Sequence, residues 1–188
     1  ASQVDPGYVS AYISLGQLYL AQGRISDAEA IFRDAEAADA SDPSGAINLA
    51  AALQLQGQFG QAEETLKRAT ETAPASGAAF TALGDFYRAR NQPDEAIATY
   101  QKATQAAPGY LPAWIGLGQV YRLRAENAPA EEALKQAKAL APTQPDGYVA
   151  LAQLYATTLR LQEAESVLAD AQAVAPGATS VLLAQGDL

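Results

Sequence analysis

The fold class this sequence predicts is an all-α solenoid built from helix pairs, and three observations predict it. Pro6, Ala40, Pro74, Pro108, Pro142 and Pro176 stand 34 residues apart, with Ala40 the one departure from proline. Large, aromatic and very small residues recur at fixed offsets inside that period. Apolar residues within each segment are spaced by three and four, which is the periodicity of a helix, and no alternating strand pattern competes with it. A period of about 20 to 50 residues marks a chain in which each unit buries its apolar face only against its neighbours.

Units fall over 9–42, 43–76, 77–110, 111–144 and 145–178, or 5 × 34 = 170 of the 188 residues. Each opens with a first helix. Its fourth position is large in four of the five units: Tyr12, Ala46, Phe80, Trp114, Tyr148. Its seventh is always leucine (Leu15, Leu49, Leu83, Leu117, Leu151), and its eighth is Gly16, Ala50, Gly84, Gly118 or Ala152. Residues this small are expected where another helix presses on the backbone. The eleventh position, Tyr19, Leu53, Tyr87, Tyr121, Tyr155, returns to large side chains. These aromatics read as packing residues, and loss of the Trp114 ring is expected to cost roughly 3–5 kcal/mol.

Second helices are predicted to start near 26, 60, 94, 128 and 162. Ser26 with Glu29 three residues on reads as a capping box, and Asp94 stands at the equivalent cap. Pro129 falls one residue past such a cap, where the missing N–H has no partner in any case. The second helices then carry Ala28, Ala62, Ala96, Ala130 and Ala164, followed by Phe32, Leu66, Tyr100, Leu134 and Leu168, and by Ala35, Ala69, Ala103, Ala137 and Ala171. Pro6-Gly7-Tyr8 and Pro108-Gly109-Tyr110 repeat one tripeptide and read as turns between units. In this register residues 1–8 close a preceding repeat and residues 179–188 begin a truncated sixth, with Ala1 on a small-residue position and Leu188 on a tenth position. The chain therefore reads as a single array cut from a longer one. Its open ends, where Val181, Leu182 and Leu183 begin a helix without its pair, predict end-to-end association at high concentration.

The recurring positions resemble the tetratricopeptide repeat, W-x2-L-G-x2-Y…A-x3-F…P, at eight offsets over five units without an insertion. The resemblance implies a right-handed superhelix of antiparallel helix pairs, with a concave groove lined by the first helices. It further implies a noncatalytic scaffold that binds a protein or peptide. Two other roles known in such arrays are substrate selection within a larger enzyme, such as a protein glycosyltransferase, and a periplasmic scaffold for bacterial polysaccharide export.

Composition narrows the chemistry. With no histidine and no cysteine, the commonest general base, zinc ligands and thiol nucleophiles are missing. The lysines Lys67, Lys102, Lys135 and Lys138 all fall on the solvated side of second helices. Glu63-Glu64, Asp94-Glu95 and Glu131-Glu132 are adjacent on helices and diverge by about 100°. No catalytic residue, metal site or cofactor is expected. A net charge of −9, from 12 basic against 21 acidic residues, argues against a phosphate backbone as partner. No run of 18 apolar residues occurs, so no membrane-inserting segment is expected.

The resemblance also implies which positions face a partner: the second, fifth, ninth, twelfth and thirteenth of each first helix. The fifth gives Ile13, Ile47, Thr81, Ile115 and Val149, the ninth Gln17, Ala51, Asp85, Gln119 and Gln153, and the twelfth Leu20, Gln54, Arg88, Arg122 and Ala156. Aliphatics beside amides suit an extended or helical peptide, and Arg88 and Arg122 suit an acidic residue on it. Asp85 stands three residues before Arg88, where an internal ion pair is the alternative. Asn48 matches one asparagine of the dicarboxylate clamp that holds chaperone C-termini. Ile13 and Gln17 stand where that clamp needs lysine and asparagine, and Thr81 and Ala82 replace its basic residues, so binding of that kind is not expected.

Overall fold

A computed structural model describes residues 6–186 of the chain. All regular structure among the described residues is helical: α1 (Pro6–Ala21), α2 (Ile25–Ala38), α3 (Pro43–Leu55), α4 (Phe59–Thr72), α5 (Gly77–Ala89), α6 (Pro93–Ala106), α7 (Leu111–Leu123), α8 (Asn127–Leu140), α9 (Asp146–Thr157), α10 (Leu161–Val174) and α11 (Thr179–Gly186). The second helices begin one residue before each predicted start. Two compact units are formed, one up to Phe86 and one from Tyr87 onward. In the first, α1, α2, α3 and α4 pack in succession and α1 also touches α3. In the second, α6 to α11 pack in succession and α7 also touches α9.

One backbone device makes every helix pair. Residues 22–24, 56–58, 90–92, 124–126 and 158–160 link first to second helices, and the middle residue of each link is left-handed: Gly23 (φ 73°), Gly57 (74°), Asn91 (56°), Ala125 (59°) and Leu159 (59°). The next N–H then folds back onto the eleventh-position carbonyl: Arg24 to Tyr19, Gln58 to Leu53, Gln92 to Tyr87, Glu126 to Tyr121 and Arg160 to Tyr155, at 2.8–2.9 Å. This is the Schellman closure of a helix C-terminus. The carbonyl of that same residue accepts the first bond of the following helix, as from Ala28 to Arg24 and from Ala164 to Arg160.

That economy corrects the expected caps. Ser26 lies inside α2 and Asp94 inside α6, and neither helix has a side-chain cap. Glu29 accepts from Arg33 and Gln56 instead of closing a capping box. Side-chain caps occur at first helices: Asp42 accepts from the Ser44 N–H at 2.9 Å, with Pro43 at the first helical position, and Ser76 accepts from Ala79 N–H at 3.2 Å. Pro129 is the third residue of α8, two places deeper than expected because the cap is Glu126, but still in the first turn where its missing N–H leaves no helix bond unmade.

The repeated tripeptide also behaves in two ways. At 108–110 it is a turn, closed by Tyr110 N–H to Ala107 carbonyl at 2.9 Å, because the chain there must leave α6. Pro6-Gly7-Tyr8 is instead the first turn of α1, a place where proline's fixed φ and missing donor are tolerated. The expectations for Ala1 and Leu188 lie outside the described residues.

Packing follows the period. A Cβ on Gly16 would sit 2.3 Å from the Phe32 ring, and one on Gly118 would sit 2.5 Å from Leu134, so the eighth position is small because the second helix leans on it. Phe32, Leu49, Leu53 and Leu66 are fully buried in the first unit, and Tyr100, Val120, Leu134, Leu154 and Leu168 in the second. Leu15 departs from its row. It is 37% exposed, because among the described residues α1 has only α2 and α3 for neighbours. Fourth-position aromatics are less buried than a core reading expects: Tyr148 is buried, while Tyr12, Phe80 and Trp114 are half-buried. Trp114 Nε1 and Tyr148 Oη each donate at 2.9 Å to the carbonyl of the closing proline six residues back, Pro108 and Pro142. Lys138 departs from the fully solvated expectation: its ammonium lies 4.6 Å from the centre of the Tyr148 ring and 3.0 Å from Asp170.

Candidate functional site

The positions expected to face a partner fall at i, i+4 and i+7 on each first helix, and so share one face. In the first unit, α1 presents Ile13, Gln17 and Leu20, and α3 presents Ile47, Ala51 and Gln54. Ile13, Leu20, Ile47 and Gln54 are half-buried, and Gln17 is exposed. Asn48 donates to the Ser44 carbonyl at 2.8 Å and Gln54 to the Ala50 carbonyl at 3.3 Å, so both amides partly satisfy themselves on their own helix. On α5, Asp85 is exposed while Thr81 is buried, and Thr81 Oγ1 finds no hydrogen-bond partner among the described residues. A hydroxyl left in that state costs about 1–3 kcal/mol.

In the second unit, α7 presents Ile115, Gln119 and Arg122, all half-buried, and the neighbouring α9 presents Val149, Gln153 and Ala156. Ile115, Val149 and Ala156 pack against the core formed by α8 to α11. Their remaining surface and the exposed Gln153 form an apolar and amide face.

The two arginines expected to act together are handled differently. Arg88 Nε donates to Tyr100 Oη at 3.4 Å, and its side chain lines a cavity of about 90 Å³ with Asn91, Pro93, Val120, Leu123 and Arg124. The cavity joins Arg88 to Arg124, not to Arg122. Arg124 was not expected at a site, and no residue pattern in the sequence marks it. It is neutralised by Asp94 and by Glu126, the latter at 2.7 Å.

Charge elsewhere is paired within helices, at their starts and between neighbouring second helices. Arg24 holds Asp27 at 2.7 Å, Arg33 holds Glu29 at 2.7 Å, and Arg68 holds Glu36 at 2.6 Å. Arg160 lies 4.2 Å from the centre of the Tyr155 ring, bridges to Glu131 at 2.5 Å and also pairs with Glu163. Glu131 accepts further from Lys135 at 2.7 Å and from Tyr155 Oη at 3.0 Å. These donors, Arg160 first, bring the Glu131 carboxyl down to about 2. Burial and the Glu131 charge push the Tyr155 phenol up. Such perturbation by a structural network is no sign of catalysis.

Among the described residues no three acidic, histidine or cysteine side chains are grouped to hold a metal ion. No helix among them is long and apolar enough to cross a membrane.

Tetratricopeptide repeat profiles match residues 47–110 in one form, and residues 1–53 and 87–146 in another. This chain belongs to the tetratricopeptide repeat family. Among solved structures it is similar to TTC0263, a thermophilic tetratricopeptide protein in Thermus thermophilus, with 27% identity, a TM-score of 0.74 and coverage of 95% of this chain and 97% of that one. It shares the fold of PilW, a type IV pilus biogenesis factor, with 23% identity, TM-score 0.72 and coverage of 100% and 88%. It also shares that of YrrB, a tetratricopeptide protein with an unusual peptide-binding site, with 18% identity, TM-score 0.63 and coverage of 93% and 90%. No curated protein matches the chain. The tetratricopeptide fold is that of an all-α solenoid and of protein-interaction scaffolds, whose stacked repeats present extended surfaces to partners.

Proposed function

We propose that this tetratricopeptide chain is a noncatalytic scaffold that binds a peptide or protein segment on the face of its first helices. The observation that supports the reading is the contact of α7 with α9, helices that carry Ile115, Gln119 and Arg122 and Val149, Gln153 and Ala156 at matching positions. Aliphatic surface takes side chains of a bound segment, and the amides of Gln119 and Gln153 bond its backbone. The α1 and α3 face in the first unit offers the same mixture without a charge, through Ile13, Gln17, Leu20, Ile47 and Gln54.

The test is selection from a displayed library of random 12-residue peptides. Gln153→Trp places a large ring on the exposed face of α9 and is expected to abolish enrichment of the wild-type peptides. Gln162→Trp, on the exposed side of α10, leaves enrichment unchanged. Equal loss in both variants, or in neither, overturns the assignment to the first-helix face.

Exposed leucines favour a second mode of contact, between copies of the chain. Leu15 and Leu18 on α1 are 37% and 53% exposed, and Leu182 and Leu183 on α11 are 52% and 65% exposed. Sedimentation at rising concentration is expected to show association that Leu18→Glu or Leu183→Glu removes. A monomer at every concentration contradicts it.

A further inference from the structure

Resting on that reading of the α7 and α9 face, we infer that its partner carries an acidic residue next to an aliphatic one, and that Arg122 alone receives the carboxylate. The chain has 21 acidic residues for 12 basic ones, so an arginine without a carboxylate is unexpected. Arg24, Arg33, Arg68, Arg124 and Arg160 each hold at least one carboxylate. Arg88 is engaged with Tyr100 and faces the cavity at the helix joints, and Arg90 is engaged as well. Arg122 is the arginine whose side chain makes no hydrogen bond, ion pair or ring contact among the described residues, although it is half-buried.

Its surroundings explain what would complete it. Gln119 and Ile115 precede it by one and two turns on α7, and neither carries charge. The equivalent place on α9 is Ala156, which offers the guanidinium no polar partner. Val149 and Gln153 complete the row, and the one acidic residue on this face of α9, Asp146 at its second position, stands at the opposite end of the helix from Ala156. A guanidinium offers five donors in a planar fork that matches a carboxylate. An aliphatic side chain one or two residues away on the same segment would lie over Ile115 and Val149.

The peptide selection described above distinguishes this inference from the reading it rests on. Wild-type protein is expected to enrich 12-residue peptides with Asp or Glu within two residues of Leu, Ile or Val. Arg122→Gln keeps the aliphatic preference and loses the acidic one, and a wild-type-selected peptide binds it roughly tenfold more weakly, the scale of a lost charge-assisted hydrogen bond. Replacing the Asp of that peptide by Asn gives the same loss in wild type and no further loss in Arg122→Gln. Arg88→Gln retains the acidic preference. Peptides enriched without an acidic preference, or one that survives in Arg122→Gln, overturn the role of Arg122 and leave the face assignment standing. No enrichment at all overturns both.

Discussion

The helix joints of the two units make the same turn from different residues, and the contrast shows what the repeat demands. In the first unit the left-handed positions are Gly23 and Gly57, where a positive φ carries no steric penalty. In the second they are Asn91, Ala125 and Leu159, and Leu159 is 84% exposed, so no burial compensates its backbone. The ties across the joints differ in parallel. Glu29 in the first unit accepts from the neutral amide of Gln56 at 2.7 Å. In the second, Arg160 reaches back to Glu131 and Arg124 to Asp94. Of the joints tied back to the preceding second helix, the one at Gly57 uses an amide and those at Ala125 and Leu159 use a guanidinium.

The largest expected effect comes from imposing the second unit's strain on the first. Gly57→Val puts a β-branched residue at φ 74° and should cost about 2 kcal/mol, read as a lowered melting temperature. An unchanged melting temperature would mean that the joint tolerates any residue.

Next is the loss of a charged tie. Arg160→Ala removes the bridges to Glu131 and Glu163 and the cover over Tyr155, and should lower the melting temperature by less than Gly57→Val does, because solvent screens the pairs. It also changes the response to acid. Glu131 titrates at about 2 in the folded chain, below its ordinary 4.5, so its contribution is fully present above pH 4.5 and is lost as pH falls towards 2. Melting temperature measured over that interval should fall more steeply for the wild type than for Arg160→Ala. Parallel curves would remove Glu131 from the account.

Relieving strain is a smaller effect of opposite sign. Leu159→Gly should stabilise by about 0.5–1 kcal/mol, the left-handed penalty less the added chain entropy. Asn91→Gly should gain no more than a few tenths of a kcal/mol, since asparagine tolerates this conformation. A gain at Asn91 as large as at Leu159 would refute the ranking of the joints.

Much of the fold was legible because burial repeats with the period. The leucine row, the small eighth position and the starts of the second helices follow from residue types that one packing environment requires each time. What escaped was set by backbone closure. The left-handed row Gly23, Gly57, Asn91, Ala125, Leu159 has no common side chain, so its period cannot be seen in residue identity. Ser26 and Glu29 have the spacing of a capping box, yet the Arg24 carbonyl and the pull of Arg33 and Gln56 leave that box no role. At the candidate site the i, i+4, i+7 rows were readable, whereas the separation of Arg88 from Arg122 was not. It depends on Tyr100 and on Arg124, whose neighbours come from other helices.

Hydrogen exchange of the protein with and without a library-selected acidic peptide tests the central claim most directly. Slowed exchange in α7 and α9, weakened in Arg122→Gln at the same peptide concentration, is the result the account predicts. Slowed exchange confined to α8 and α10 would contradict it.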